Sequence, residues 1–128
     1  MVASSLSKRW KDGVRHKYGP WEGIANVICH DFTRDGRIDM AVTYASGGTA
    51  GDIAWFAFRR DGPRWRLALA RLRVYKLGLS VRGSDLVETT PVYRPGDPNC
   101  CPTGGYDHGR WHWNGRALVL AQRWHTKR

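Results

Sequence analysis

Several things are missing from this sequence, and each absence removes a class of protein. No apolar run approaches the roughly 18 residues a membrane-spanning helix needs, and no repeat with a period of about 20–50 residues marks a solenoid or propeller. The opening residues, MVASSLSKRWKDGVRHK, contain no apolar core of the kind found in a secretory leader. There is no G-x-S-x-G, no H-E-x-x-H and no phosphate-cradling G-K-[ST]; Gly47-Gly48-Thr49 stops short of the lysine. Cysteine is scarce, with three residues, and acidic residues are outnumbered by basic ones, 11 to 21. What remains is 128 residues with 41% hydrophobic and 25% charged side chains, enough to bury a core without staples and too apolar for a disordered chain.

The net charge of +10 is unevenly spread. Residues 1–20, 59–82 and 107–128 are basic, whereas 21–58 holds five acidic against two basic residues. Such patchiness favours a polyanionic partner: an anionic cell-wall polymer, nucleic acid or an anionic membrane surface. The candidate contacts are Arg59, Arg60, Arg64, Arg66, Arg71 and Arg73. The plainer alternative is solubility in an arginine-rich composition.

Residues 4–18 read as a basic helix weakened by Gly13 and stopped by Gly19-Pro20. From there the pattern turns to strands: 24–30, 38–45 and 53–60, the last two joined by the Gly-rich SGGTAGD. Asp61-Gly62 marks a turn into 64–76, which fits either strand or helix and is taken as strand. Two more strands are expected at 77–81 and 85–93. A hairpin then joins 108–113 to 116–124 around Asn114-Gly115. The expected fold is a single, mainly β domain over 1–128, α+β through its N-terminal segment. Residues 1–20 would be the basic helical segment and 21–128 an antiparallel β-sheet of short hairpins.

The sharpest motif is Asp31-Phe32-Thr33-Arg34-Asp35-Gly36-Arg37-Ile38-Asp39, which leads into an apolar strand. Alternate side chains in a tight loop converge. Carboxylates of Asp31, Asp35 and Asp39, the Thr33 hydroxyl and the Arg37 carbonyl form an oxygen set suited to Ca²⁺ before Mg²⁺. It is not an EF-hand, since Val42 occupies the twelfth position where a bidentate Glu is required. The alternative is a turn whose aspartates cap their own backbone amides. The motif resembles the calcium loop of FG-GAP or VCBS-type β domains, D-x-D-x-D-G-x-x-D followed by a strand. The matches are Asp31, Asp35, Gly36 and Asp39, and Thr33 departs by replacing a carboxylate. Asp97-Pro98-Asn99-Cys100-Cys101-Pro102-Thr103, with Trp113-Asn114-Gly115 beyond it, is similar to the ending of small bacterial exported or lipoprotein domains. That resemblance implies an exported β domain and no chemistry.

On an extended chain Cys100 and Cys101 point to opposite sides, so Cys29 is the expected long-range partner of one of them. Closing that loop of about seventy residues would contribute roughly 4 kcal/mol in the chain-entropy view. Three idle thiols are the alternative. Zinc held by Cys29, Cys100, Cys101, His108 and His112 lacks any C-x₂-C pair. Asp107-His108 with Asn114 gives a small hydrolase or nuclease little support. Trp111 and Trp113 share a strand face and could form a stacking platform, or fill a core. The leading expectation is a non-enzymatic exported or cell-envelope binding or structural domain with a Ca²⁺-type loop and one disulfide. Its place would be extracellular or in the envelope if a leader precedes this chain. A cytoplasmic nucleic-acid-binding protein is the alternative.

Overall fold

A computed structural model describes residues 23–127. Within them the chain forms eight strands: β1 (Gly23–His30), β2 (Asp39–Ala45), β3 (Asp52–Asp61), β4 (Arg64–Arg71), β5 (Gly78–Arg82), β6 (Asp85–Pro91), β7 (Tyr106–Trp113) and β8 (Leu118–Thr126). They make two four-stranded antiparallel sheets, each a meander in chain order, β1-β2-β3-β4 and β5-β6-β7-β8. The mainly antiparallel β expectation therefore holds. The strands divide between two sheets instead of extending one, because the segment 72–77 breaks the pairing after β4. The expected helix at 4–18 lies outside the described residues, and no helix occurs within them.

The two sheets share a core. Ala41, Trp55 and Ala57 from the first sheet meet Leu86 and Leu118 from the second, together with Phe32, Val74 and Leu77 from the connections. Trp55 is fully buried. The first sheet is also apolar on its other face, where Met40, Val42, Tyr44, Ala54, Phe56 and Phe58 cluster. That two-sided burial explains why β2 and β3 read in sequence as nearly unbroken apolar runs.

The turns follow their sequence signals. Gly62-Pro63 connects β3 to β4 and Gly83-Ser84 connects β5 to β6, with Gly62 and Gly83 at positive φ as two-residue hairpins demand. The β7–β8 turn is longer than the two residues expected from Asn114-Gly115. The Asn114 side chain accepts from the amides of Arg116 and Ala117 at 2.9 and 3.0 Å, which keeps both residues in the turn and starts β8 at Leu118. Segment 64–76 is strand only to Arg71. Arg73 and Lys76 adopt φ of 58° and 48°, left-handed values that end the ladder, and Val74 and Leu77 drop into the core.

Candidate metal loop and its clasp

The acidic motif is the connection between β1 and β2. Its first residues are pulled inward by Phe32, which is 1% exposed and tilts against Trp113 with ring centroids 6.5 Å apart. Its last residue, Asp39, opens β2 and is fully buried. An apolar anchor at one end and a strand at the other force the residues between into a compact turn. Gly36 turns the chain at φ 84°, and Arg34 adopts φ 60°.

Within that turn, one carboxylate oxygen each from Asp31, Asp35 and Asp39 lies within 4.8 Å of the others. This is the only group of three or more acidic, histidine or cysteine side chains brought together for a metal among the described residues. The zinc set therefore does not assemble. The same carboxylates also organise the backbone. Asp39 accepts from the Thr33 amide (3.0 Å) and hydroxyl (2.8 Å) on one oxygen and from the Arg60 amide (2.8 Å) on the other. Asp31 accepts from the amides of Asp35 (3.3 Å) and Gly36 (2.9 Å) and the Thr33 hydroxyl (3.3 Å). Asp35 accepts from the Arg37 amide at 2.8 Å.

Desolvation pushes the Asp31 carboxyl up. The amides of Gly36, Asp35 and Arg34 and the Thr33 hydroxyl outweigh it and hold Asp31 below the usual carboxylate range. Asp31 thus keeps its negative charge in the loop at neutral pH. Each carboxylate oxygen carries two acceptor positions, so hydrogen bonding does not use up the donor set. Thr33 is spent on the carboxylates, and its hydroxyl points at Asp31 and Asp39. Arg37 also lines a separate cleft with Cys29, Arg60 and Trp65.

Sequence reading missed the clasp that ties this loop to the second sheet. Arg34 donates to the Trp113 carbonyl at 2.6 Å and approaches His112 Nε2 at 3.4 Å. His112 Nδ1 lies 2.7 Å from Asp85, which is 5% exposed and also bonded to Arg110. With Nδ1–H donating to Asp85, Nε2 is left to accept from Arg34. No local pattern announces this network, because its members come from two strands and a loop far apart in sequence.

The cysteines differ from expectation. Cys100 and Cys101 are bonded to one another, and Cys29 is free and exposed. The chain here is not extended: the Cys101 amide donates to the Pro98 carbonyl at 3.0 Å, a turn that stops the two side chains diverging. Asp97 builds this turn. It accepts from the amides of Arg94 (2.7 Å) and Thr103 (2.8 Å) and from the Thr103 hydroxyl (2.9 Å). The two amide bonds chiefly hold its pKa below the ordinary value. Asn99 then docks the loop on Tyr75, Lys76 and Tyr93. Cys29 is paired in register with Met40 on β1, the edge strand of the first sheet.

The six candidate arginines divide: Arg59, Arg64 and Arg66 gather around Asp61 at the β3–β4 hairpin, and Arg71 and Arg73 lie toward the other end of β4 and beyond it. Arg71 is bidentate on Glu88, Arg66 pairs with Asp61, and Arg60 donates to the Gly62 carbonyl and covers Trp65. Arg59 lies over Trp113. Arg64 is at the β3–β4 turn and Arg73 in the 72–77 connection. Trp111 and Trp113 are partly buried and pack against the shared core, Trp111 edge-on to Trp55 at 6.2 Å. His108 is enclosed by Thr89, Thr126 and a stacked Trp124. Comparison with protein-family models, with curated proteins and with solved structures found no match.

Proposed function

We propose that this chain is a binding and structural β domain of the cell envelope or secreted space, with its acidic loop closed by a weakly held Ca²⁺. The observation that carries the reading is the convergence of Asp31, Asp35 and Asp39 oxygens within 4.8 Å in a loop that reaches both sheets. A hard divalent ion takes such oxygens, and three carboxylates without a bidentate Glu suit roughly 10⁻⁴–10⁻³ M affinity. The ion's role is structural. It neutralises three like charges and fixes the loop that carries Phe32 into the core and Arg34 onto Trp113. The turn at Asp97 and its paired cysteines support placement in an oxidising compartment.

Thermal unfolding in millimolar Ca²⁺ against excess chelator tests the reading. Mass action at a few times Kd gives about 1 kcal/mol, a rise in Tm of roughly 3–5 °C for a domain of this size. Asp35→Ala should remove the rise and preserve the fold, because the Asp35 carboxylate bonds only the neighbouring Arg37 amide among the described residues. Identical melting of the wild type with and without the ion would reduce the loop to a self-capped turn.

A further inference from the structure

The outward face of the first sheet is apolar, and it is buried. Met40, Val42, Tyr44, Ala54, Phe56 and Phe58 are between 1% and 6% exposed. The partly buried residues that pack against them, Ile24, Ile53 and Trp65, belong to the same sheet. Neighbours within one pleated sheet flank a side chain but leave its tip in water, so a further layer lies over this cluster. Tyr44, Phe56 and Phe58 each engage a partner. The second sheet is spent on the opposite face, where it meets Ala41, Trp55 and Ala57, and Phe32, Val74 and Leu77 from the connections join it there.

The outline of the burial gives the shape of that layer. Val27 stands opposite Val42 and Cys29 opposite Met40, so both share the outward face, yet Val27 is 41% exposed and Cys29 is exposed. On β4, Leu67 opposite Phe58 is 54% exposed, and Ala70 opposite Phe56 is exposed. Only the two central strands are fully covered. Two strands span about 10 Å at a spacing of about 4.8 Å, the width of one α-helix with its side chains. A second copy stacking its own sheet here would cover the edge strands as well.

Residues 1–22 precede β1, which begins at Gly23 in register with Ala45, at the Tyr44 end of the covered strip. At 3.6 residues per turn, 4–18 puts Leu6, Trp10 and Val14 in one stripe with Tyr18 at its edge, and Lys8, Asp12 and Arg15 on the opposite side. Fifteen residues of helix span about 22 Å, and the seven residues of β2 span about 23 Å. Gly19-Pro20-Trp21-Glu22 reaches up to about 14 Å, enough to climb the roughly 10 Å between packed layers. We infer that residues 4–18 lie along β2 and β3 as an amphipathic helix, with Leu6, Trp10 and Val14 seated on the outward cluster and the basic side in water. No carboxylate of the acidic loop takes part, so the seating is independent of the calcium reading.

The test uses the full chain in dilute solution. Nuclear Overhauser contacts should join the Trp10 ring and the Leu6 and Val14 methyls to the methyls of Met40 and Val42. Trp10→Ser should lower Tm by several degrees and shift those Met40 and Val42 signals, whereas Lys8→Gln and Arg15→Gln should do neither. Absence of every such contact in the wild type overturns the proposal, whether or not Trp10→Ser folds. Contacts seen only between differently labelled chains also overturn it and make a second copy the occupant. If the contacts are absent and anionic phospholipid vesicles broaden the signals of 4–18, the stripe belongs on a membrane surface and the proposal falls. Equal effects of Trp10→Ser and Lys8→Gln would contradict the seating of the stripe.

Discussion

The two sheets solve the same problem differently. In the first, the central strands β2 and β3 are buried on both faces, and nearly every side chain from Asp39 to Tyr44 and from Ala54 to Phe58 is out of solvent. In the second, only the inner face joins the core. The rest of that sheet carries polar chemistry: Asp85 with Arg110 and His112, and His108 with Thr89 and Thr126. The first sheet is held by apolar area, which is non-directional. The second is held in part by directional bonds, which need every partner in place. The acidic loop lies where the two regimes meet.

That contrast can be broken most sharply at Trp55. Trp55→Ala should cost about 3–5 kcal/mol. It removes the largest fully buried side chain and also leaves Glu88 without its indole donor. Chemical denaturation with an unchanged m-value checks this.

Asp39→Ala comes next. It strands the Thr33 and Arg60 amides, and at about 1–3 kcal/mol for a buried group left unpaired the destabilisation should exceed that of removing Asp35. Gly36→Ala forces a side chain into φ 84°, where nothing lies within 4 Å of the added Cβ, so backbone strain alone should cost about 1–2 kcal/mol in the same denaturation experiment. Asp61→Asn, in an exposed pair with Arg66, should leave Tm essentially unchanged.

Acid sharpens the comparison further. The pKa of Asp31 is lowered in the folded state, so its contribution is complete above the unfolded carboxylate value of about 3.9. It is lost as pH falls through the lower folded value. Asp31→Asn should flatten the acid limb of a stability–pH curve, whereas Asp61→Asn should alter it less.

The strands were legible because two periodicities did not compete. Alternation or continuous apolar runs over 39–45, 52–61 and 85–91 had no helical rival, and Gly62 and Gly83 punctuated them. Segment 64–76 was ambiguous for a physical reason. A bulge between Ala57 and Phe58 shifts the register of Leu67 and Leu69, and the chain leaves the sheet after Arg71 through two left-handed residues. The loop's carboxylates were legible because they sit within nine residues. The clasp was not, since Arg34, Asp85 and His112 meet only through topology. Cys100 and Cys101 misled because pairing was inferred from an extended chain, whereas the turn that Asp97 builds bends it.

The central claim, a cation held by the loop that clasps the sheets, is tested most directly by backbone amide shifts during Ca²⁺ titration. The amides of Asp35, Gly36 and Thr33 should move together and saturate near millimolar ion, because each donates to an Asp31 or Asp39 carboxylate that the bound charge would polarise. The Trp113 amide region should follow through Arg34, and the strand residues around Gly78 and Thr89 should stay still. A titration in which no loop amide moves, or in which shifts spread evenly over the basic surface without saturating, would contradict the account.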